Sequence, residues 1–495
     1  RHDALPTHTP SHPPLTMDAE VVNGREEVRV GQHMPGGANF GRALDHVVPA
    51  CVVLKTTATR AFDTESASSG YATGFVVDKK LGLILTNRHV VKPGPVAAEA
   101  VFVNREEIPV YPLWRDPVHD FGFFRFDPSA LEFMQINEIQ LAPDAAHVGL
   151  EVRVVGNDSG EKISILSGTI ARLDRDAPSY SKIGYNDFNT FYYQAASGTK
   201  GGSSGSPVID AQGRAVALNA GSNTKSASAF FLPLHRVVRA LEYIRKSAQP
   251  DGSWASPIVP RGTLQTKFSY MGFDEVRRLG FRRESEAAVR KEMGRDETGM
   301  LVVENACPGG PAATWLEPGD VLVRINGKVV TQFLSLAELM DSNVDAAVEV
   351  EVERGGKPLL HSLTVQDLHS ITPSSFLEVC GGTVHALSYQ QARNALSECG
   401  QVYIAEPGYM LSRAGLPKQA IITAVDRKPT RTLEDFAAFL QAIPHGARVP
   451  VEYYVFAERH RRKNVLLQMD RRWYGAPLYW ERNDGSGLWS SREDW

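Results

Sequence analysis

Three short segments hold residue types able to attack a carbonyl group. Thr86-Asn-Arg-His89-Val-Val91 offers an imidazole straight after an apolar run. Asp116-Pro-Val-His-Asp120 offers two carboxylates just before the apolar run Phe121–Phe124. Gly201-Gly-Ser-Ser204-Gly-Ser-Pro207 is a loop of small residues. A serine hydroxyl is a weak nucleophile until a base takes its proton, and that base needs a carboxylate to hold its tautomer. His89 as base, Asp120 as orienter and Ser204 as nucleophile meet those needs. The glycines around Ser204 permit positive φ. The N–H groups of Gly202 and Ser204 can then converge as an oxyanion hole, where losing one donor typically costs about 2.7–4 kcal/mol of barrier.

Each assignment has rivals. His119 competes for the base role, but beside Asp120 in an extended segment it points to the opposite face. Asp116 competes as orienter. Asp120 is preferred because the chain enters an apolar run directly after it, and a carboxylate buried there needs a partner. Ser203 and Ser206 are alternative nucleophiles. Gly201-Gly-Ser203-Ser-Gly205 also matches G-x-S-x-G, which requires a helix straight after the serine and a later Asp then His. Pro207-Val-Ile-Asp-Ala-Gln-Gly213 reads instead as a strand and a turn, which excludes that motif.

The elements that position these segments are mostly strands. Tyr71–Asp78, Leu81–Thr86, Glu151–Gly156, Ile163–Ile170 and Pro207–Asn219 are short apolar runs separated by turn residues, the spacing of a sandwich or barrel. Leu234–Ser247 has helical spacing with basic residues in its last turn. Residues 249–260 are a Pro/Gly/Ser-rich linker. Beyond it, Cys307–Val330 reads as a turn, a short helix and a hairpin closed by Asn326-Gly327. A helix over Ser335–Ser342 and a strand over Ala347–Arg354 follow. The pattern returns more weakly from Glu406, with strand Ile421–Asp426, helix Leu433–Ala442 and strand Val449–Phe456. Two copies of one small α+β module are expected. The expected order is a flexible arm (1–39), a β-rich domain that carries the three segments (40–248), the linker, module one (261–365), module two (366–470) and a tail (471–495).

The chain has 495 residues, room for about three domains at ~150 residues each. Its 53 Lys+Arg against 57 Asp+Glu give a net charge of −4, without the basic excess of a nucleic-acid protein. No run approaches the ~20 apolar residues of a membrane helix. Cys51, Cys307, Cys380 and Cys399 lack the spacing of a zinc site or disulfide framework and suit a reducing compartment. The chain opens at Arg1, as a processed or partial chain would.

Together, Thr86–Val90, Asp116–Asp120 and Gly202–Pro207 resemble the T-N-x-H-V, D-x-x-x-D and G-N-S-G-G-P motifs of HtrA/DegP (Deg) serine proteases. Ser203 and Ser206 stand where that pattern has Asn and Gly. Tyr193–Lys200 is similar to the segment leading into the family's nucleophile loop. Ala229-Phe-Phe-Leu-Pro233 resembles its G-F-A-I-P strand beside the S1 pocket. That implies Ala229, Phe230, Phe231 and Leu232 as substrate-binding residues, with Asn219–Ser222 as the alternative floor and core packing the plainer role for both phenylalanines. Val154–Lys162 and Tyr185–Asn189 resemble a eukaryotic branch that includes plant and algal chloroplast Deg proteases and fungal nuclear, apoptosis-linked HtrA-like proteases. Members of that branch often carry a second, degenerate protease half.

The resemblance implies a mainly β fold: a chymotrypsin-like double barrel followed by two PDZ-like domains. In the first of these, Arg261-Gly-Thr-Leu-Gln265 occupies the place of the carboxylate-binding loop. The implied activity is ATP-independent serine endopeptidase action on unfolded or damaged proteins, in quality control, without metal or organic cofactor. Implied partners are unfolded substrates, peptide segments bound by the PDZ-like modules, and further copies of the chain in a trimer or larger assembly. The implied compartment is chloroplast or nucleus. A protease-like scaffold or holdase that binds unfolded chains with little cleavage is the alternative; a pure PDZ adaptor leaves the first 248 residues unexplained.

Overall fold

The computed structural model describes residues 40–492 except 158–159, 161, 181–183, 197–201, 224–227, 250–253, 295–296 and 474–475. The arm expected over 1–39 lies outside these residues, as do Gly201 and part of the linker. Seven strands build the first lobe: β1 (Cys51–Ala58), β2 (Ser68–Asp78), β3 (Leu83–Thr86), β4 (Val96–Val101), β5 (Glu107–Pro109), β6 (Tyr111–Arg115) and β7 (Gly122–Arg125). They form one antiparallel sheet ordered β5-β4-β1-β2-β3-β7-β6. The first barrel is therefore not closed by strand pairing; β6 and β5 end the sheet.

The second lobe does close, in the order β10-β13-β12-β11-β8-β9. Its strands are β8 (Glu151–Asn157), β9 (Ile163–Asp176), β10 (Phe191–Ala196), β11 (Pro207–Ile209), β12 (Ala215–Asn223) and β13 (Ser228–Pro233). The strand and turn expected over Pro207–Gly213 open the β11–β12 hairpin. Helix α3 (His235–Ser247) buries Val237, Ala240, Leu241 and Ile244, spaced three and four apart, against a core shared by both lobes. Each such fully buried aliphatic side chain contributes about 1.5–3 kcal/mol.

The two modules repeat one sheet. In the first, β15 (Thr266–Gly272), β16 (Gly299–Ala306), β17 (Val321–Ile325), β19 (Ala347–Arg354) and β20 (Lys357–Thr364) are neighbours in that order, with β18 (Lys328–Val329) paired to β17. Asn326 and Gly327 have φ of 50° and 77° in the β17–β18 turn, as a type I′ turn requires. In the second, β23 (Gly382–Ala386), β24 (Val402–Glu406), β25 (Ala420–Val425), β27 (Arg448–Val455) and β28 (Lys463–Gln468) repeat the order, with β26 (Lys428–Pro429) on β25. Helices α6 (Phe333–Ser342) and α9 (Leu433–Ala442) hold matching places. The second sheet continues beyond β23 through β22 (Ser375–Val379) to β29 (Leu478–Asn483) and β30 (Leu488–Arg492).

Candidate active site

Strand β3 is wholly buried and delivers the chain to a single helical turn, Arg88–Val91. Asn87 opens that turn: its carbonyl accepts from the N–H groups of Val90 and Val91, and its Nδ2 donates to the Asp120 carbonyl at 3.0 Å. The imidazole of His89 thereby faces Asp120. Nδ1 lies 3.0 Å from each Asp120 carboxylate oxygen, and the His89 N–H donates to Oδ1 at 3.2 Å. A carboxylate on Nδ1 fixes the proton there and leaves Nε2 as the basic nitrogen. Burial opposes protonation of His89, but the Asp120 charge and hydrogen bond outweigh it and hold the pKa above the usual value. Asp120 is fully buried, and its N–H donates to Asp187 Oδ2 at 3.2 Å.

The rival residues lie elsewhere in the same turn. His119 is buried with Nδ1 2.8 Å from Asp187 Oδ1. Burial, reinforced by the Arg236 charge, lowers its pKa, so it packs as a neutral ring. Asp116 caps its own loop, accepting from the N–H groups of Val118 and His119 at 2.8 and 2.7 Å, and pairs with Arg261 at 2.9 Å. Neither is joined to His89.

The nucleophile loop is pinned by β2. Thr73 N–H donates to the Ser204 carbonyl at 2.9 Å, and Thr73 Oγ1 donates to the Gly202 carbonyl at 3.0 Å. Gly205 has φ of 84°, and a Cβ there would stand 2.1 Å from the Thr73 carbonyl oxygen and 2.2 Å from Thr86 Oγ1. Only glycine fits this close approach. The loop thus rests on the end of β3 that leads to His89. Ser204 Oγ itself donates to the Ala220 carbonyl at 3.5 Å and is not hydrogen-bonded to His89. Tyr180 bridges the two: its ring lies 6.1 Å from the His89 ring, and its hydroxyl donates to the same Ala220 carbonyl at 3.4 Å. Before proton transfer the serine hydroxyl must exchange this bond for one to Nε2. The peptide that presents the Gly202 N–H begins at Gly201, outside the described residues.

Ala229, Phe230, Phe231 and Leu232, expected to contact substrate, are buried in the barrel wall. Their strand is paired on both edges, to β10 and β12. Strand alternation sends Ala229 and Phe231 into one core cluster and Phe230 and Leu232 into another. Sequence reasoning missed Tyr180, Asp187, Asn219 as a loop anchor and the inward role of Ser206. Tyr180 and Asp187 lie outside the three motifs and only folding brings them there; Ser206 and Asn219 lie in or after the third motif, but their inward bonds form only in the folded chain.

Residues 72–218 match the model of a trypsin-like peptidase domain, 302–354 a PDZ domain and 370–446 a PDZ-like domain. Protease Do-like 7 of Arabidopsis thaliana is 64% identical over 456 residues, covering 92% of this chain and 42% of that protein. The pro-apoptotic serine protease NMA111 of Ajellomyces capsulatus (strain NAm1 / WU24) is 47% identical over 447 residues, 90% of this chain and 42% of that protein. Over nine tenths of its length the chain is similar to Do-like and NMA111 serine proteases, with a trypsin-like peptidase domain followed by PDZ domains. It spans about two fifths of the length of those curated relatives. A solved structure of the HtrA-type protease AlgW with tripeptide covers 66% of this chain and 96% of its own, at 19% identity and a TM-score of 0.49.

Both PDZ modules reach the turns that carry His89 and Asp120. Arg88, next to His89, pairs at 3.1 Å with Asp63, and both are buried. Asp63 is held by the second module: Ser388 Oγ donates to its carboxylate, Gln391 Nε2 donates to its carbonyl at 2.7 Å, and its N–H donates to His385 Nε2 at 2.9 Å. Arg261, at the start of the first module, joins Asp116 to Asp341 of α6, at 2.9 and 2.8 Å. Among the described residues no helix is long and apolar enough to cross a membrane.

Proposed function

We propose that the chain is an ATP-independent serine endopeptidase acting on unfolded or damaged proteins in quality control. His89 Nε2 takes the Ser204 proton as Oγ attacks the peptide carbonyl, and later gives it to the leaving amine. Asp120 keeps the proton on Nδ1 and stabilises the imidazolium. The N–H groups of Gly202 and Ser204 receive the developing oxyanion. The observation that carries this reading is the buried Asp120 carboxylate with both oxygens 3.0 Å from His89 Nδ1. The family resemblance adds a trimer or larger assembly, peptide recruitment by the PDZ modules and a chloroplast or nuclear setting.

The test is cleavage of reduced casein without ATP at several temperatures, wild type against Ser204→Ala. Loss of roughly 10⁶-fold is expected of a missing nucleophile. An inert wild type at every temperature removes the reading. One observation favours a second reading, a holdase: Ser204 Oγ is turned to Ala220 and away from His89. A fluorophosphonate probe separates the two, because it labels Ser204 only where the base and oxyanion hole assemble.

A further inference from the structure

Ser206 stands where the family motif has its second glycine, and it is fully buried. Its hydroxyl donates to the carbonyl of Ser203 at 2.6 Å. Asn219, also fully buried, donates Nδ2 to the same carbonyl at 2.7 Å, and the Ser206 N–H adds a turn bond at 3.1 Å. Ser206 and Asn219 are locked together as well, since the Asn219 N–H donates to the Ser206 carbonyl at 2.9 Å. Room for the hydroxyl is made by Gly156 of β8, where a Cβ would stand 1.9 Å from Ser206 Oγ.

A trans peptide is planar, so its C=O and N–H point in opposite directions. Holding the Ser203 carbonyl inward turns the Ser204 N–H outward, to the side where an oxyanion would form. We infer that Ser206, with Asn219, is a positioning residue that sets the Ser204 N–H of the oxyanion hole. In a motif with glycine at this position the side-chain donor is missing; here a buried hydroxyl restrains the peptide before substrate arrives. Donors fixed in advance are what make such a hole effective. The inference rests on the protease reading above.

The test uses the full chain with Ser206→Ala and Ser206→Gly. Five quantities are measured: kcat and KM on a peptide substrate, the inhibition constant of a peptide aldehyde whose hemiacetal places an oxygen in the hole, thermal stability, and hydrogen exchange across residues 202–209. Loss of one neutral hydrogen bond of ordinary strength predicts a three- to tenfold fall in kcat, at most about tenfold. KM should hold within twofold, aldehyde affinity should fall in parallel with kcat, and exchange at Gly205 and Ser206 should speed up. Unchanged kcat overturns the inference. So does a fall in kcat without loss of aldehyde affinity, which would mark a merely structural role. If the wild type cleaves nothing, the protease reading fails separately, and unchanged exchange in both variants still overturns the clamp.

Discussion

The two PDZ modules share one strand order but meet the rest of the chain differently. In the first, β15 ends the sheet, and among the described residues no strand pairs with its outer edge. One protease residue touches that edge: Asn189 Nδ2 donates to the Thr266 carbonyl at 2.9 Å, and the Phe268 N–H donates to Asn189 Oδ1 at 2.8 Å. The carboxamide acts there as a single rung of an added strand. In the second module the equivalent strand, β23, is covered by β22, β29 and β30. Phe376 of β22 packs with Trp489 of the tail and Phe62 of the first lobe, centroids 5.2 and 5.8 Å away. A sheet edge left with unpaired N–H and C=O groups can take up another strand, and a covered one cannot. Sequence repetition therefore does not carry equal binding capacity: the first module keeps an edge, and the second has its edge covered and is joined through Asp63 to the turn that carries His89.

The sharpest way to break this comparison is at the first-lobe ion pair that the second module holds. Asp63→Ala leaves the Arg88 guanidinium buried without its carboxylate, and removing one partner of a buried pair typically costs about 3–5 kcal/mol. Denaturant unfolding should show that loss, together with reduced proteolysis, because Arg88 adjoins His89. Stability within 1 kcal/mol of wild type would show that the second module is a loose appendage.

A smaller effect is expected at the first module. Asn189 has φ of 51°, so Asn189→Gly keeps the backbone conformation and removes only the carboxamide. Two lost hydrogen bonds of about 0.5–1.5 kcal/mol each should loosen the contact and raise affinity for an extended peptide about tenfold. Fluorescence polarisation measures this. Equal affinity in both proteins would mean that the edge was never blocked.

The smallest effects are on pH, and here two histidines pull in opposite directions. The His89 pKa is raised, since Asp120 overcomes burial. Its stabilisation is present below about pH 6.5 and is lost as pH rises through the folded value. His385 in the second module is lowered by burial, with Nε2 accepting from Asp63. Protonation removes that acceptor, so stability falls as pH drops below about 6.5 toward the depressed value. His385→Gln should flatten the acid side of a Tm–pH curve; an unchanged curve would exclude His385 as its source. Catalysis needs neutral His89, so the acid limb of kcat/KM should lie above pH 6.5 and move down in Asp120→Asn.

Much of this was legible in residue order. The motif at His89 follows a wholly apolar strand, Asp120 precedes Phe121–Phe124, and Asn326-Gly327 closes a hairpin, because each depends on neighbours in the chain. The periodic helices α3, α6 and α9 were legible for the same reason. The pairing of Ala229–Leu232 along both edges was not legible, because a strand motif does not reveal which strands will flank it. Closure of the second lobe but not the first also depends on which distant strands meet. The turn of Ser204 toward Ala220, the bridging Tyr180 and the clamp on Ser203 join segments far apart in sequence. The sequence by itself determined the residue types and spacing at His89, Asp120 and Ser204 and the order of the modules, since both are encoded locally. Only the tertiary structure decided how those groups are aimed and which module edge stays open, because such contacts exist only once distant segments pack.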